Sequence, residues 1–270
     1  MTAGDHLFIR TLVFEQAAIQ LEPGREYVVE SRVNALAKRE GIADADTFTS
    51  QLRSAPRGPL LRKLLDAMTT NETSFFRDLH PFESLKESII PELLKARRSE
   101  GRLHIWCGAA SSGQEPYSVL MLLNEHFPEI ANWDFKFLAT DLSFQILNKA
   151  RLGRYTQFEV NRGLPASLLV KYFTRQNGEW EISPKLRRQV EFRELNLIQD
   201  WPGMPQMDLV MLRNVLIYFE PAVKRQILER IRRVLRPGGY LILGGTETTF
   251  GIDHGFERVV VGRTTVYRNR

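Results

Sequence analysis

The chain has 270 residues, 43% hydrophobic and 26% charged, enough for one sizeable core and a smaller second domain, and no apolar run approaches the roughly 18 residues of a membrane span. The start MTAGDHLFIR lacks a secretory pattern, and one thiol (Cys107) with five scattered histidines supports neither an internal disulfide nor a cysteine-based zinc site, so a cytoplasmic protein without metal is expected. The net charge of +5 invites a nucleic-acid reading, but the first 75 residues hold 9 basic against 10 acidic side chains and the rest 28 against 22, a diffuse surplus that reads as solvated surface and argues against a nucleic-acid partner.

Residues 1 to about 68 show helical periods only: DHLFIRTLVFEQA, then REYVVESRVNALAKREG closing on Gly41, then ADTFTSQLRS, then PLLRKLLDAMTT. A small all-helical domain over 1–75 is the expectation. Arg25, Arg32 and Arg39 recur every seven residues with Lys38 adjacent, which puts them on one helix face. Such a face is either simply solvated or a basic stripe for an acidic partner helix. The stretch Thr69–Asp78, TTNETSFFRD, mixes capping residues, two aromatics and an arginine. Read as a helix start, it has Thr70 or Asn71 as cap, Phe75 and Phe76 as buried anchors, and Arg77 free for other work.

After a helix over Pro81–Arg98 the pattern alternates. Strands are predicted at Arg102–Cys107, Phe135–Thr140, Val190–Leu195, Asp208–Leu212 and Tyr240–Leu243. Helices are predicted at Glu115–Phe127, Ser143–Leu152 before Gly153, and Pro221–Leu235. A closing hairpin pairs Glu257–Val261 with Thr264–Arg268 around Gly262. The fold class is therefore α/β, a doubly wound, mostly parallel sheet over 76–270. One piece breaks the alternation. LLVKYFTR and EWEIS flank Asn177-Gly178, a strong tight-hairpin signal, so a small antiparallel insertion is expected at about 156–189.

Ligands of such sheets sit at the strand C-terminal ends. The Gly108–Gly113 loop precedes a helix N-terminus and is either an anion cradle or a plain tight turn, since the spacing G-x-G-x-x-G is absent. Asp141, ending the second strand, can accept from ribose hydroxyls or cap the next helix, a job for which Ser143 competes. Glu115 can face a cationic ligand or serve as a first-turn carboxylate. Arg213, Asn214 and Tyr218 follow the fourth strand.

The unit from Asp208 to Gly245, with its Arg236-Pro237-Gly238-Gly239 entry to the fifth strand, looks like the second half of an S-adenosylmethionine-dependent methyltransferase core. Taken together, Thr70–Asp78 (TNETSFFRD), Gly113–Ser118 (GQEPYS), Ala139-Thr140-Asp141, Leu195-Asn196-Leu197 and Arg213–Phe219 (RNVLIYF) are similar to the chemotaxis receptor methyltransferases, the CheR family. The resemblance implies a methyltransferase domain behind an N-terminal helical domain, with a three-stranded β-subdomain inserted before the third strand. The implied reaction is transfer of a methyl from S-adenosylmethionine to glutamates on the cytoplasmic helices of chemoreceptors, giving glutamyl methyl esters and S-adenosylhomocysteine. It further implies a cofactor pocket of Asn71, Thr73, Arg77, Glu115, Asp141, Asn196, Leu197, Asn214 and Val215, with Arg77 and Tyr218 nearest the transferred methyl. Acidic receptor helices would be the partner of the stripe Arg25, Arg32, Lys38 and Arg39. Two departures stand out: Gln114 replaces a usual glutamate, and the Asn177-Gly178 turn is shorter than in relatives that dock a receptor-tail pentapeptide, so no dependence on such a tether is expected. An RNA methyltransferase and a non-catalytic cofactor-binding regulator are the competing readings.

Overall fold

A computed structural model describes residues 1–22, 24–201 and 203–270. Four helices open the chain: α1 (Ala3–Ala17), α2 (Glu26–Arg39), α3 (Ala45–Ser54) and α4 (Pro59–Met68). Their starts follow local chemistry, with a capping box between Thr2 and Asp5, Asp44 capping Thr47 N–H, and proline at the first position of α4. Ile9, Val13, Val33, Phe48, Leu52 and Leu64 are fully buried in a cluster that these four helices share. Each such side chain contributes roughly 1.5–3 kcal/mol on burial, so the cluster holds the helices together.

The expected helix over Pro81–Arg98 runs as α5 (His80–Ser84), a π-turn (Leu85–Ile89) and α6 (Ile90–Ala96). Pro91 has no N–H to return to the preceding turn, and the ladder loosens by one residue just before it, Ile90 N–H donating to Leu85 O. Residues 69–79 overturn the helix start expected there. They are irregular, and Phe76, Asp78 and Leu79 carry φ of 46, 67 and 49°.

The main sheet comprises β1 (Arg102–Gly108), β2 (Asp134–Asp141), β6 (Glu191–Glu194), β7 (Met207–Leu212), β8 (Leu235–Leu243), β9 (Phe256–Val261) and β10 (Thr264–Asn269). Its order is β6-β2-β1-β7-β8-β10-β9, with β10 antiparallel to both neighbours and the first five strands parallel. Side chains alternate between two cores: Ile105, Cys107, Leu209 and Met211 enter one, Trp106, Val210 and Leu212 the other. Helices α7 (Gln114–His126), α8 (Phe144–Leu152) and α12 (Pro221–Val234) supply the covering layers. The strand order reverses between β1 and β7, whose final residues pair as Gly108 with Leu212, so a crevice opens beyond that pair. A Cβ at Gly108 would meet Leu212 Cδ1 at 2.6 Å, so a larger residue here would require that leucine side chain to shift.

The insertion is a three-stranded antiparallel sheet of β3 (Arg154–Tyr155), β5 (Glu179–Ile182) and β4 (Phe173–Gln176), accompanied by helices α9 (Gln157–Asn161), α10 (Ala166–Tyr172) and α11 (Pro184–Arg187). Asn177 and Gly178 form its two-residue turn at φ of 50 and 85°. LLVKY, expected as strand, belongs instead to α10, because Pro165 starts a helix there and the strand begins only at Phe173. Similarly, Leu235, expected to end α12, and Arg236–Gly239, expected as a turn into the strand, both belong to β8, and Gly239 packs where a Cβ would lie 2.9 Å from Asp208 O.

Candidate active site

The crevice beyond β1 and β7 is one continuous pocket. Asn71, Thr73, Arg77, Glu115, Asp141, Asn196, Leu197, Asn214, Val215 and Tyr218 all line it. Five separated segments supply these residues, and each is fixed by a bond that can be traced.

At the β2 end, Asp141 is buried and accepts Ser111 N–H at 2.8 Å on one oxygen and Ser143 N–H at 2.9 Å on the other. Burial pushes its carboxyl above the ordinary carboxylate range, a shift opposed by those two N–H donors. The helix-cap alternative fails: Ser143 Oγ accepts Ile146 N–H and caps α8, so Asp141 is left to face the pocket. Each of its oxygens retains a lone pair for a vicinal diol. Asn196, at the end of β6, donates to Gln16 O at 2.7 Å and accepts Ile198 N–H, which ties the wall of the pocket to the last turn of α1. Ala17, Ile19 and Met68 from the N-terminal helices complete that wall.

On the opposite side, Glu115 in the first turn of α7 is buried against Arg213, whose Nη1 donates to it at 2.6 Å. Arg213 also donates to Arg77 O at 3.0 Å and to Asp78 Oδ2 at 2.7 Å. The residue just past β7 thus links the α7 carboxylate to the strained segment carrying Arg77. That segment is held further by Phe76 N–H on Ser118 Oγ at 3.0 Å and by Ser111 Oγ on Asn71 O at 2.8 Å. Gly163 of the insertion presses on it as well, since a Cβ there would meet Phe75 O at 2.0 Å.

Arg77 donates to Glu72 O at 3.1 Å, and no carboxylate among the described residues pairs with it. Tyr218, in a short 3₁₀ turn (Leu216–Tyr218), is 39% exposed at the same mouth. None of the described lining residues is His, Lys or Cys. Cys107 lies fully buried within β1, and burial pushes its thiol well up, which removes it as a nucleophile. Gln114 is buried and accepts Ser112 Oγ–H at 2.7 Å, so the departure from glutamate places a neutral amide where a carboxylate would be desolvated.

Sequence reading passed over two residues that organise this site. Arg213 stood at a strand end and in the RNVLIYF motif without a role assigned to it, and Glu247, which accepts four backbone N–H groups beside Asn214, gave no signal at all. The basic stripe needs correction. Arg32 is turned inward, its Nη1 donating to the carbonyls of Ala67, Met68 and Thr69 at the end of α4. Arg25 pairs with Glu22, Arg39 donates to Gln145, and Lys38 is exposed. The seven-residue period marked a common face, but a neighbouring helix end occupies its middle.

Among the described residues no helix is long and apolar enough to cross a membrane. A family profile described as CheR methyltransferase, SAM binding domain, matches residues 71–264. Chemotaxis protein methyltransferase 1 of Pseudomonas aeruginosa is 40% identical over 269 residues, covering 98% of this chain and 97% of that protein. Chemotaxis protein methyltransferase Cher2 of Pseudomonas putida is 38% identical over 276 residues, covering 99% of each.

Proposed function

The chain belongs to the CheR methyltransferase family and is an S-adenosylmethionine-dependent chemotaxis methyltransferase; on that premise we propose that it esterifies glutamate side chains on the cytoplasmic helices of chemoreceptors. Bound in the pocket, the cofactor supplies a methyl activated on sulfonium. Asp141 accepts from its ribose hydroxyls, Asn196 and Leu197 flank its base, and Asn71, Thr73, Glu115, Asn214 and Val215 hold its amino-acid end. Arg77 and Tyr218 receive the acceptor at the mouth. In this reading the chain divides near residue 75 into a helical domain and a methyltransferase domain, and works in the cytoplasm.

One observation carries the choice of acceptor. The mouth offers an arginine without a carboxylate partner, and the described lining residues include no His, Lys or Cys to serve as a base, while the lining carboxylates Glu72, Glu115 and Asp141 are already engaged, by Arg162, Arg213 and two backbone N–H groups. A glutamate with pKa about 4.3 arrives ionised and needs no proton removed, so what it requires is a cation to orient it. An amine or ribose hydroxyl would need a base. Incubation with methyl-labelled S-adenosylmethionine and receptor cytoplasmic fragments is expected to give label that mild base releases as methanol. Label stable to base, or label on RNA, would overturn the assignment.

Arg25, Lys38 and Arg39 remain exposed for acidic receptor helices, without Arg32. The two-residue β4–β5 turn is shorter than the glycine-containing turn of relatives that dock a receptor tail, so removal of the receptor's C-terminal pentapeptide is expected to leave the methylation rate unchanged. A large drop with the truncated receptor would show that docking occurs on this sheet after all.

A further inference from the structure

We infer that Glu247 is a positioning residue for the methyl-transfer site: its carboxylate sets the conformation of the loop that carries Asn214, Val215 and Tyr218. Glu247 does not line the pocket. It lies behind it, half-buried, in the turn after β8. Its Oε2 accepts Asn214 N–H at 2.8 Å and Gly244 N–H at 2.6 Å, and its Oε1 accepts Val215 N–H at 2.9 Å and Ile217 N–H at 3.2 Å. No arginine or lysine among the described residues pairs with it. Four backbone donors are therefore its counter-charge, an arrangement for a carboxylate and not for an amide or alcohol.

The geometry around it is built for this contact. Asn214 sits at φ 58°, a left-handed conformation that asparagine tolerates better than other non-glycine residues and that the carboxylate contact here fixes. Gly244 is the point of closest approach, since a Cβ there would lie 2.7 Å from Glu247 Oε2, 2.8 Å from Asn214 Nδ2 and 2.9 Å from Asn214 N. The carboxylate thus holds together the two loops that end β7 and β8. Released, Asn214 is free to leave that conformation, and both Val215 and the turn bearing Tyr218 are free to move with it.

This inference rests on the proposed assignment of Asn214 and Val215 to the cofactor, and it is indifferent to which acceptor is methylated. The test is calorimetric binding of S-adenosylhomocysteine to the full chain, paired with amide exchange at residues 214–217. Glu247→Gln keeps shape but aims an NH₂ group at two N–H donors, and a Kd raised about tenfold is expected, with lost protection at Asn214, Val215 and Ile217. Glu247→Asp keeps the charge and is expected to rescue part of the affinity. Gly244→Ala drives a methyl against both Glu247 Oε2 and Asn214, disturbs the same contact from its other side, and should weaken binding likewise. Wild-type Kd and protection in a folded Glu247→Gln would overturn the inference. Should that variant not fold, wild-type Kd in both Glu247→Asp and Gly244→Ala overturns it equally. Wild-type affinity in Asp141→Ala would overturn the cofactor assignment itself, and this inference with it.

Discussion

Replacing Arg77 by alanine is expected to lower kcat for receptor methylation by about 10²–10³, which corresponds to about 3–4 kcal/mol of transition-state stabilisation, while the Kd for S-adenosylhomocysteine changes little. The size follows from what the guanidinium would do. Two charge-assisted hydrogen bonds to a carboxylate fix one oxygen in line with the methyl, and losing them costs orientation as well as attraction. Cofactor affinity is spared because Arg77 stands at the mouth, whereas Asp141, Glu115 and the Asn214 loop are anchored independently of its side chain. Arg77→Lys should rescue poorly, since an ammonium cannot offer the planar fork. Steady-state kinetics with calorimetry decide the matter: an unchanged kcat would remove Arg77 from the mechanism, and an equal loss in binding and turnover would make it a cofactor ligand only.

Strands and helices of the sheet were legible in the sequence because each is a local pattern with a marked end. Gly153 stops α8 at φ 63°, Asn177-Gly178 makes a tight turn, and apolar runs at 102–107 and 208–212 form central strands. The segment at 70–79 was not legible. Its threonines, asparagine and paired phenylalanines favour a helix start, but Arg213, Ser118 and Gly163 hold its backbone from positions 42 to 136 residues away, and three residues adopt positive φ. Such strain, about 1–3 kcal/mol per residue, persists only where tertiary contacts over-determine it, and local propensity cannot anticipate that. Arg32 failed for the same reason, because a period of seven names a face without naming what packs on it. Glu247 finds three of its four N–H partners 30 to 33 residues away, where no spacing rule reaches.

Arg213→Met is expected to cost stability and activity together. The arginine side chain is 1% exposed and its partner Glu115 11%, so truncation strands a desolvated carboxylate in the floor of the pocket. Breaking such a buried pair costs about 3–5 kcal/mol, a drop in Tm on the order of 10 °C for a chain of this size. Asp78, 54% exposed, adds little to that figure, because water takes over its charge. Its contribution is geometric. Arg213 donates to both the carbonyl of Arg77 and the carboxylate of Asp78, and without those bonds Asp78 and Leu79 have less to keep them at positive φ, so Arg77 leaves the mouth. Activity should therefore fall at least as far as in Arg77→Ala even at temperatures where the variant is folded. The double variant Arg213→Met with Glu115→Gln separates the two effects. Neutralising the stranded carboxylate is expected to recover much of the Tm, since a neutral amide is less costly to bury, and, with S-adenosylmethionine held saturating because Glu115 also faces the cofactor, to recover none of the kcat, since the 77–79 backbone stays unheld. Thermal unfolding and turnover measured on the same preparations would decide it: kcat returning with Tm would mean that Arg213 acts on catalysis through stability alone.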